Sequence, residues 1–165
     1  MFLEARVAGC CSATFVLKLN DQPIGKYEGR WFSESLDLAL KGMRKLEFRN
    51  VGWLSSQFEL IDDDADEVVA SCQRSGIFTS SWDVVLSLGS GRLVKQGWFG
   101  SAYEAWIGNE ALAKVDRTGL CERGWIVDGG GDLAVEDMIL IGLVYHTILQ
   151  REAQHQQHGG AAAGT

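Results

Sequence analysis

Residues 133–149, LAVEDMILIGLVYHTIL, form the one long segment of this 165-residue chain whose apolar residues do not alternate. From Met138 to Leu149 nearly every face is apolar, the exceptions being Gly142, Tyr145, His146 and Thr147. A surface helix shows a polar stripe at the 3.6-residue period, whereas a helix apolar all round must be buried on every side, in a core or in a membrane. A membrane span needs roughly 20 apolar residues. This run is shorter, and Glu136 and Asp137 sit inside its first turns, so the core reading prevails. Asp132 stands where an N-cap would accept hydrogen bonds from the first free backbone N–H groups. Glu136 and Asp137 complement the positive end of the helix dipole and Arg151 the negative end. A helix is therefore expected over about residues 133–150.

Everything before that segment reads as strands and turns. Leu36, Leu38 and Leu40 alternate with Asp37 and Ala39, the period-2 pattern of a half-buried strand. In Lys45-Leu46-Glu47-Phe48-Arg49 the apolar pair points inward and the three charges outward. Further strands are expected around Phe2, Ala5 and Val7 and over residues 15–19, 24–31, 57–61, 67–72, 82–88, 91–98, 102–107, 110–115 and 123–127. Gly, Ser, Asn or Asp bounds most of them, and Asn20-Asp21-Gln22-Pro23 is turn chemistry. Strands at intervals of roughly 8–12 residues mark a sandwich or a barrel.

About ten to twelve strands followed by one wholly apolar helix have a simple solution. The sheet closes, and the helix threads it. A barrel of that strand number has a bore too wide for side chains to fill alone, and closure removes exposed strand edges. The expected fold is thus mainly β, a closed antiparallel barrel of about 10–12 strands around a central hydrophobic C-terminal helix. Residues 1–151 make the single domain. Residues 152–165, rich in Gln, His, Gly and Ala, are expected as a disordered polar tail.

Composition narrows function. The formal charge of -7 and the pI of about 4.9 argue against a nucleic-acid partner, which wants a basic footprint. Cys10, Cys11, Cys72 and Cys121 form no C-x-x-C pair, so neither a zinc site nor a redox pair is expected. Val7-Ala8-Gly9-Cys10 has the form of a lipidation box, but a secretory signal needs a basic start and an apolar stretch of about 7–15 residues. Only MFLEAR precedes it. A cytoplasmic chain, peripheral to a membrane if it meets one, is the expectation.

The repeated short strands, the hairpin Phe58-Glu59-Leu60-Ile61-Asp62 with Val68-Val69-Ala70, and the terminal VEDMILIGLVYHTIL together resemble the tubby-like, LURP-one-related and phospholipid-scramblase superfamily. The resemblance covers most of residues 2–151 and implies a closed barrel around a hydrophobic C-terminal helix. It also implies a non-enzymatic binding or interaction domain, touching anionic membrane lipid headgroups or a protein partner. The chain has no counterpart of the calcium-binding or palmitoylated-cysteine segments of scramblases.

Few residues qualify as a site. Lys41, Arg44, Lys45 and Arg49 make the one dense basic stretch, and each cation near anionic lipid contributes about 1 kcal/mol. Asp62, Asp63, Asp64, Asp66 and Glu67 lack the ligand spacing of a calcium loop and read as a soluble hairpin tip. His146 is a lone histidine on an apolar helix, and its pairing with Cys72 or Cys121 as a nucleophile couple has no support in spacing. Gly129-Gly130-Gly131 lacks the βαβ context and the Lys-Ser/Thr of a phosphate loop. No catalytic residue, metal or cofactor is nominated. The alternative is a lipocalin-like carrier of a small apolar ligand, suggested by Gly29-Arg30-Trp31. It requires the helix to pack outside an open lumen.

Overall fold

The structure is a computed structural model that describes residues 1–9, 12–29, 35–42, 45–51, 56–76, 80–97, 100–119 and 123–159, with side chains described as far as Gln154. Twelve strands precede one helix. They are β1 (Phe2–Val7), β2 (Thr14–Leu19), β3 (Gln22–Glu28), β4 (Leu36–Leu40), β5 (Leu46–Asn50) and β6 (Gln57–Asp62). Then come β7 (Glu67–Arg74), β8 (Ser81–Leu86), β9 (Gly89–Lys95), β10 (Tyr103–Ile107), β11 (Glu110–Arg117), β12 (Trp125–Gly129) and the helix α1 (Val135–Gly159). Each strand pairs antiparallel with its neighbours in sequence, and β1 pairs with β12, so the meander closes into a barrel. Register is set by alternation. Leu46↔Asp62 and Phe48↔Leu60 place β5 and β6 side chains inward together, while Glu47 and Arg49 face out. Bulges at Leu17/Lys18, Leu60/Ile61 and Ala105/Trp106 bend the wall near the turns of one end.

The helix runs inside the barrel. Met138, Ile139, Leu140, Leu143, Val144 and Tyr145 are all fully buried. The helix touches β11, β12 and β1 on one side and β6 and β7 across the ring, which only a central rod can do. The inner wall is graded to suit. Small residues line the strands that the helix contacts, with Ala5 on β1, Ala70 on β7 and Ala113 on β11. Large rings fill the rest of the lumen, among them Tyr27, Phe48, Trp82 and, against the helix itself, Trp125. Phe15 stacks on Tyr27 at 4.9 Å and Phe48 on Phe58 at 5.2 Å between centroids.

Gly142 is where the rod comes up against a large ring of the wall. A Cβ there would lie 2.1 Å from Trp125 Cζ3. Trp125 is itself fully buried, and its indole N–H donates to the Tyr27 hydroxyl at 3.1 Å. The glycine, which costs helix propensity, makes room for the largest ring in the lumen.

The structure differs from the sequence reading at both helix ends. The helix starts at Val135, so Ala134 holds the cap position and Met138 N–H donates to Ala134 C=O. Asp132 lies exposed in the turn before it and does not cap. That turn is fixed by the backbone instead, through Gly130 N–H to Leu112 C=O and Leu133 N–H to Gly130 C=O. At the other end the helix runs on to Gly159, so residues 152–159 are helical rather than a disordered tail. Glu152 and Lys95 meet at 3.3 Å and hold the extension to the barrel wall. Residues 160–165 lie outside the described residues.

Two substitutions test the threaded rod. Gly142→Ala should cost about 1–3 kcal/mol by overpacking. In urea titration, combining it with Trp125→Phe should cost less than the two single variants summed, because the two residues share one contact. Ile141→Asp puts a charge at a site 1% exposed and should leave no cooperative thermal transition by circular dichroism.

Candidate functional site

A meander of twelve strands gives the barrel two unlike ends. The helix begins at one end, the floor, where even strands hand over to odd ones. Tight turns close it, including Asn20–Asp21 with φ of 47° and 67°, the left-handed geometry of a two-residue hairpin turn. The helix leaves at the other end, the mouth, where odd strands hand over to even ones.

This geometry divides the basic stretch. Lys41 and Lys45 lie exposed in the β4–β5 connection at the floor, and Arg44 lies outside the described residues. Arg49 is the penultimate residue of β5, toward the mouth. At about 3.3 Å per residue, four residues along a strand separate Lys45 from Arg49 by about 13 Å. Lys45 is also next to acid, its C=O accepting from Asp63 N–H at the β6–β7 turn. The Asp62 carboxylate holds that turn by accepting from Asp64 and Ala65 N–H at 3.0 and 3.3 Å. Arg49 is gripped by Glu47 at 2.5 Å, which raises its pKa above the usual guanidinium value.

The mouth gathers other cations. Five of the six odd strands end there with a basic residue last or next to last: Arg6 on β1, Arg49 on β5, Arg74 on β7, Lys95 on β9 and Arg117 on β11. The sixth, β3, ends in Glu28. Arg123 adds another just before β12. Arg6 and Arg49 pair with Glu4 and Glu47 on their own strands, at 3.0 and 2.5 Å. In both cases the carboxylate lies two residues closer to the floor, so the cation stands foremost at the rim. The floor has the opposite sign. Asp21, Asp63, Asp64, Asp66, Glu67 and Glu110 occupy its turns and their edges.

Around the emerging helix, one side is closed and the other open. Arg151 lies over the Phe58 ring at 5.1 Å and Glu152 reaches Lys95. On the opposite side a recess of about 200 Å³ opens between the helix and the β1–β2, β3–β4 and β11–β12 connections. Phe15, Leu149 and Ala153 form its apolar wall, and Arg117 and Arg123 frame it. His146 lines its base, edge-on to Phe15 at 5.0 Å. The Gln150 amide N–H donates to His146 Nε2 at 2.9 Å, which requires a neutral imidazole carrying its proton on Nδ1. Burial, helped by the Arg123 charge, lowers the His146 pKa to about 4. Beside it the Tyr145 hydroxyl sits 3.5 Å from Asp116 Oδ1, which also accepts from Ser101 at 2.7 Å. Burial raises the Tyr145 pKa.

The remaining sequence candidates resolve as structural parts. Asp137 is fully buried in the first helical turn and accepts from Ser87 N–H at 3.0 and 3.1 Å and from the Ser87 hydroxyl. It latches the helix start to the β8–β9 turn. Cys72 lies on β7, five strands round the ring from β2, whose Phe15 meets His146. Burial pushes its thiol up, away from the reactive thiolate, and Cys121 lies outside the described residues. Among the described residues no cluster of His, Cys, Asp and Glu has the form of a metal site. Of Gly29-Arg30-Trp31, only Gly29 is described. The lipocalin-like alternative needs an open lumen, and the helix fills it.

The mouth had a signal in the sequence that strand-by-strand reading passes over. Aligning the odd strands exposes a six-fold repeat of a basic residue (Lys26 in the β3 copy), a short spacer, a glycine and an apolar pair. The glycines are Gly9, Gly29, Gly52, Gly76, Gly97 and Gly119, at intervals of 20 to 24 residues. The pairs that follow them are Cys-Cys, Trp-Phe (after an intervening Arg), Trp-Leu, Ile-Phe, Trp-Phe and Leu-Cys. The pair residues and Gly52 lie outside the described residues; the other five glycines and the basic residues that precede them are described.

A scan of family models and searches of curated proteins and of solved structures find no match to this chain. No helix among the described residues is long and apolar enough to cross a membrane.

Two measurements check this geometry. The unfolded chain takes a proton on His146 near pH 6.5, whereas the folded chain resists it down to about 4. Stability must therefore fall as pH drops through that window, by about 3 kcal/mol from this group. The stability difference between wild type and His146→Gln should shrink or reverse over the same interval in urea titrations. Asp137→Ala should cost about 2 kcal/mol by stranding the Ser87 N–H, and Ser87→Ala should cost less, because that N–H keeps its acceptor.

Proposed function

We propose that the chain is a non-enzymatic binding domain of the tubby-like kind that docks its mouth on an anionic membrane surface. The observation that carries this reading is the ring formed by Arg6, Arg49, Arg74, Lys95 and Arg117 at the ends of the odd strands. A net charge of -7 repels the chain as a whole from an anionic surface. The segregation of charge makes one approach favourable, with the mouth leading and the acidic floor behind. Each cation brought near anionic lipid contributes about 1 kcal/mol. The repeat supports a bilayer as the partner. Its apolar pairs are rich in Trp and Phe, residues suited to the interface between headgroups and acyl chains, and cations beside them keep their charge in the headgroup layer while the stems cover apolar surface.

The site differs from the basic stretch chosen on local density. Lys41 and Lys45 face the acidic floor, and of the described residues in that stretch only Arg49 belongs to the mouth. His146 lies on the helix beside Phe15 of β2, and Cys72 lies on β7, five strands round the ring.

Co-sedimentation with vesicles tests the reading. Wild type should bind vesicles containing phosphatidylserine, bind phosphatidylcholine alone far less, and lose binding as salt rises. Arg49→Glu/Arg74→Glu/Lys95→Glu should weaken binding by at least about tenfold, given about 1 kcal/mol per basic residue. Lys41→Glu/Lys45→Glu should leave it unchanged. Absence of wild-type binding, or equal losses in the two variants, would overturn the proposal.

A further inference from the structure

We infer that the recess beside the emerging helix is a binding site for one oxyanion carried on an alkyl chain. The inference goes beyond surface docking, since a soluble probe tests it with no bilayer present.

The composition of the recess is the first observation. In a chain with 22 acidic and 15 basic residues, its described lining holds two guanidiniums, Arg117 and Arg123, and no carboxylate. The neighbouring carboxylate, Asp116, is engaged by Ser101. Guanidinium groups bind carboxylate and phosphate oxygens through planar, charge-assisted hydrogen bonds, so the recess selects for anionic oxygen.

The second observation is the wall. Phe15, Leu149 and Ala153 present apolar surface directly beside those arginines. A simple inorganic anion would leave that surface wet, whereas an alkyl chain would cover it. The volume of about 200 Å³ admits a short alkyl segment.

The third observation is the base. His146 is 8% exposed and hydrogen-bonded to Gln150, which also lines the recess. That bond uses one of the two amide donors of Gln150 and leaves its second N–H and its carbonyl for a ligand. The charged groups facing His146 here are Arg117 and Arg123. An anion seated between them screens both from the imidazole.

The chemistry has two available sources, a free alkyl carboxylate or phosphate and the headgroup of an anionic lipid in a bilayer.

Calorimetric titration of the full chain with octanoate, below the concentration at which it forms micelles, tests the site. 1-Octanol serves as the uncharged partner probe. Octanoate should bind about tenfold or more tightly than octanol, and Arg117→Gln/Arg123→Gln should remove that difference, as loss of hydrogen bonds to a charged group requires. Both arginines are exposed, and a thermal melt of the variant by circular dichroism separates loss of the ligand from loss of the fold. On binding, the His146 ring resonances should move, and its apparent pKa should rise as the bound charge offsets Arg123. Equal binding of octanoate and octanol, or an unchanged affinity in the arginine variant, would overturn the inference. Displacement of octanoate by vesicles containing phosphatidic acid would assign the ligand to a lipid headgroup. Failure of the vesicles to displace it would assign the ligand to a free alkyl anion. Because octanoate binding is read without membrane, loss of vesicle docking alone leaves this result intact.

Discussion

A closed ring of twelve strands encloses more space than its own side chains can fill, and a helix apolar on every face cannot stand in water. Each element removes the other's problem. The inner wall is therefore shaped around a rod, with alanines on β1, β7 and β11 and a glycine on the helix where Trp125 of β12 presses in. Gly142 against Trp125 fixes how closely rod and wall approach, and Asp137 on Ser87 fixes how far the rod is inserted. The latch is worth noting for its chemistry. A buried carboxylate would be costly without partners, and here it accepts both the N–H and the hydroxyl of one turn residue.

The same meander that closes the barrel also sorts residues between its ends. Neighbours along one strand are carried apart, as Lys45 and Arg49 are, while residues some twenty apart in sequence meet around one rim. The outcome is a row of basic residues at the mouth ends of the odd strands and a set of acidic turns at the floor, in a chain that is acidic overall. Individual surface ion pairs contribute little to stability, so Arg6 with Glu4 and Arg49 with Glu47 are better understood as setting orientation. Each pair points its positive end toward the mouth. The proposed docking and the proposed anion binding would both draw on these cations, one through the whole ring and the other through Arg117 and Arg123.

Alternation made the strands legible, and the unbroken apolar run made the helix legible, because both are one-dimensional patterns with a fixed period. Helix ends were less so. Asp132 has the chemistry of a cap, but the backbone turn at Gly130–Leu133 delays the helix to Val135. Residues 152–159 are polar and tail-like in composition, yet helix continues through them, with Glu152 tied to Lys95 on a strand 57 residues earlier. The site was the hardest part. Lys41, Arg44, Lys45 and Arg49 stand out because they are dense in sequence, and density along a strand says nothing about which end of a barrel each residue reaches.

From sequence alone followed the class of fold, the number of strands within a narrow range, and the burial of residues 138–148, since hydrophobic periodicity is local and survives any arrangement in space. The six-fold recurrence of basic residue, glycine and apolar pair was also present in the sequence, but it acquires meaning only when strand parity brings the described ends of the odd strands to one rim. The polarity of the barrel, the neutral state of His146 and the recess beneath Arg117 and Arg123 were decided by tertiary structure. Charge fields, desolvation and cavities depend on distances through space, and a closed meander makes those distances nearly independent of separation along the chain.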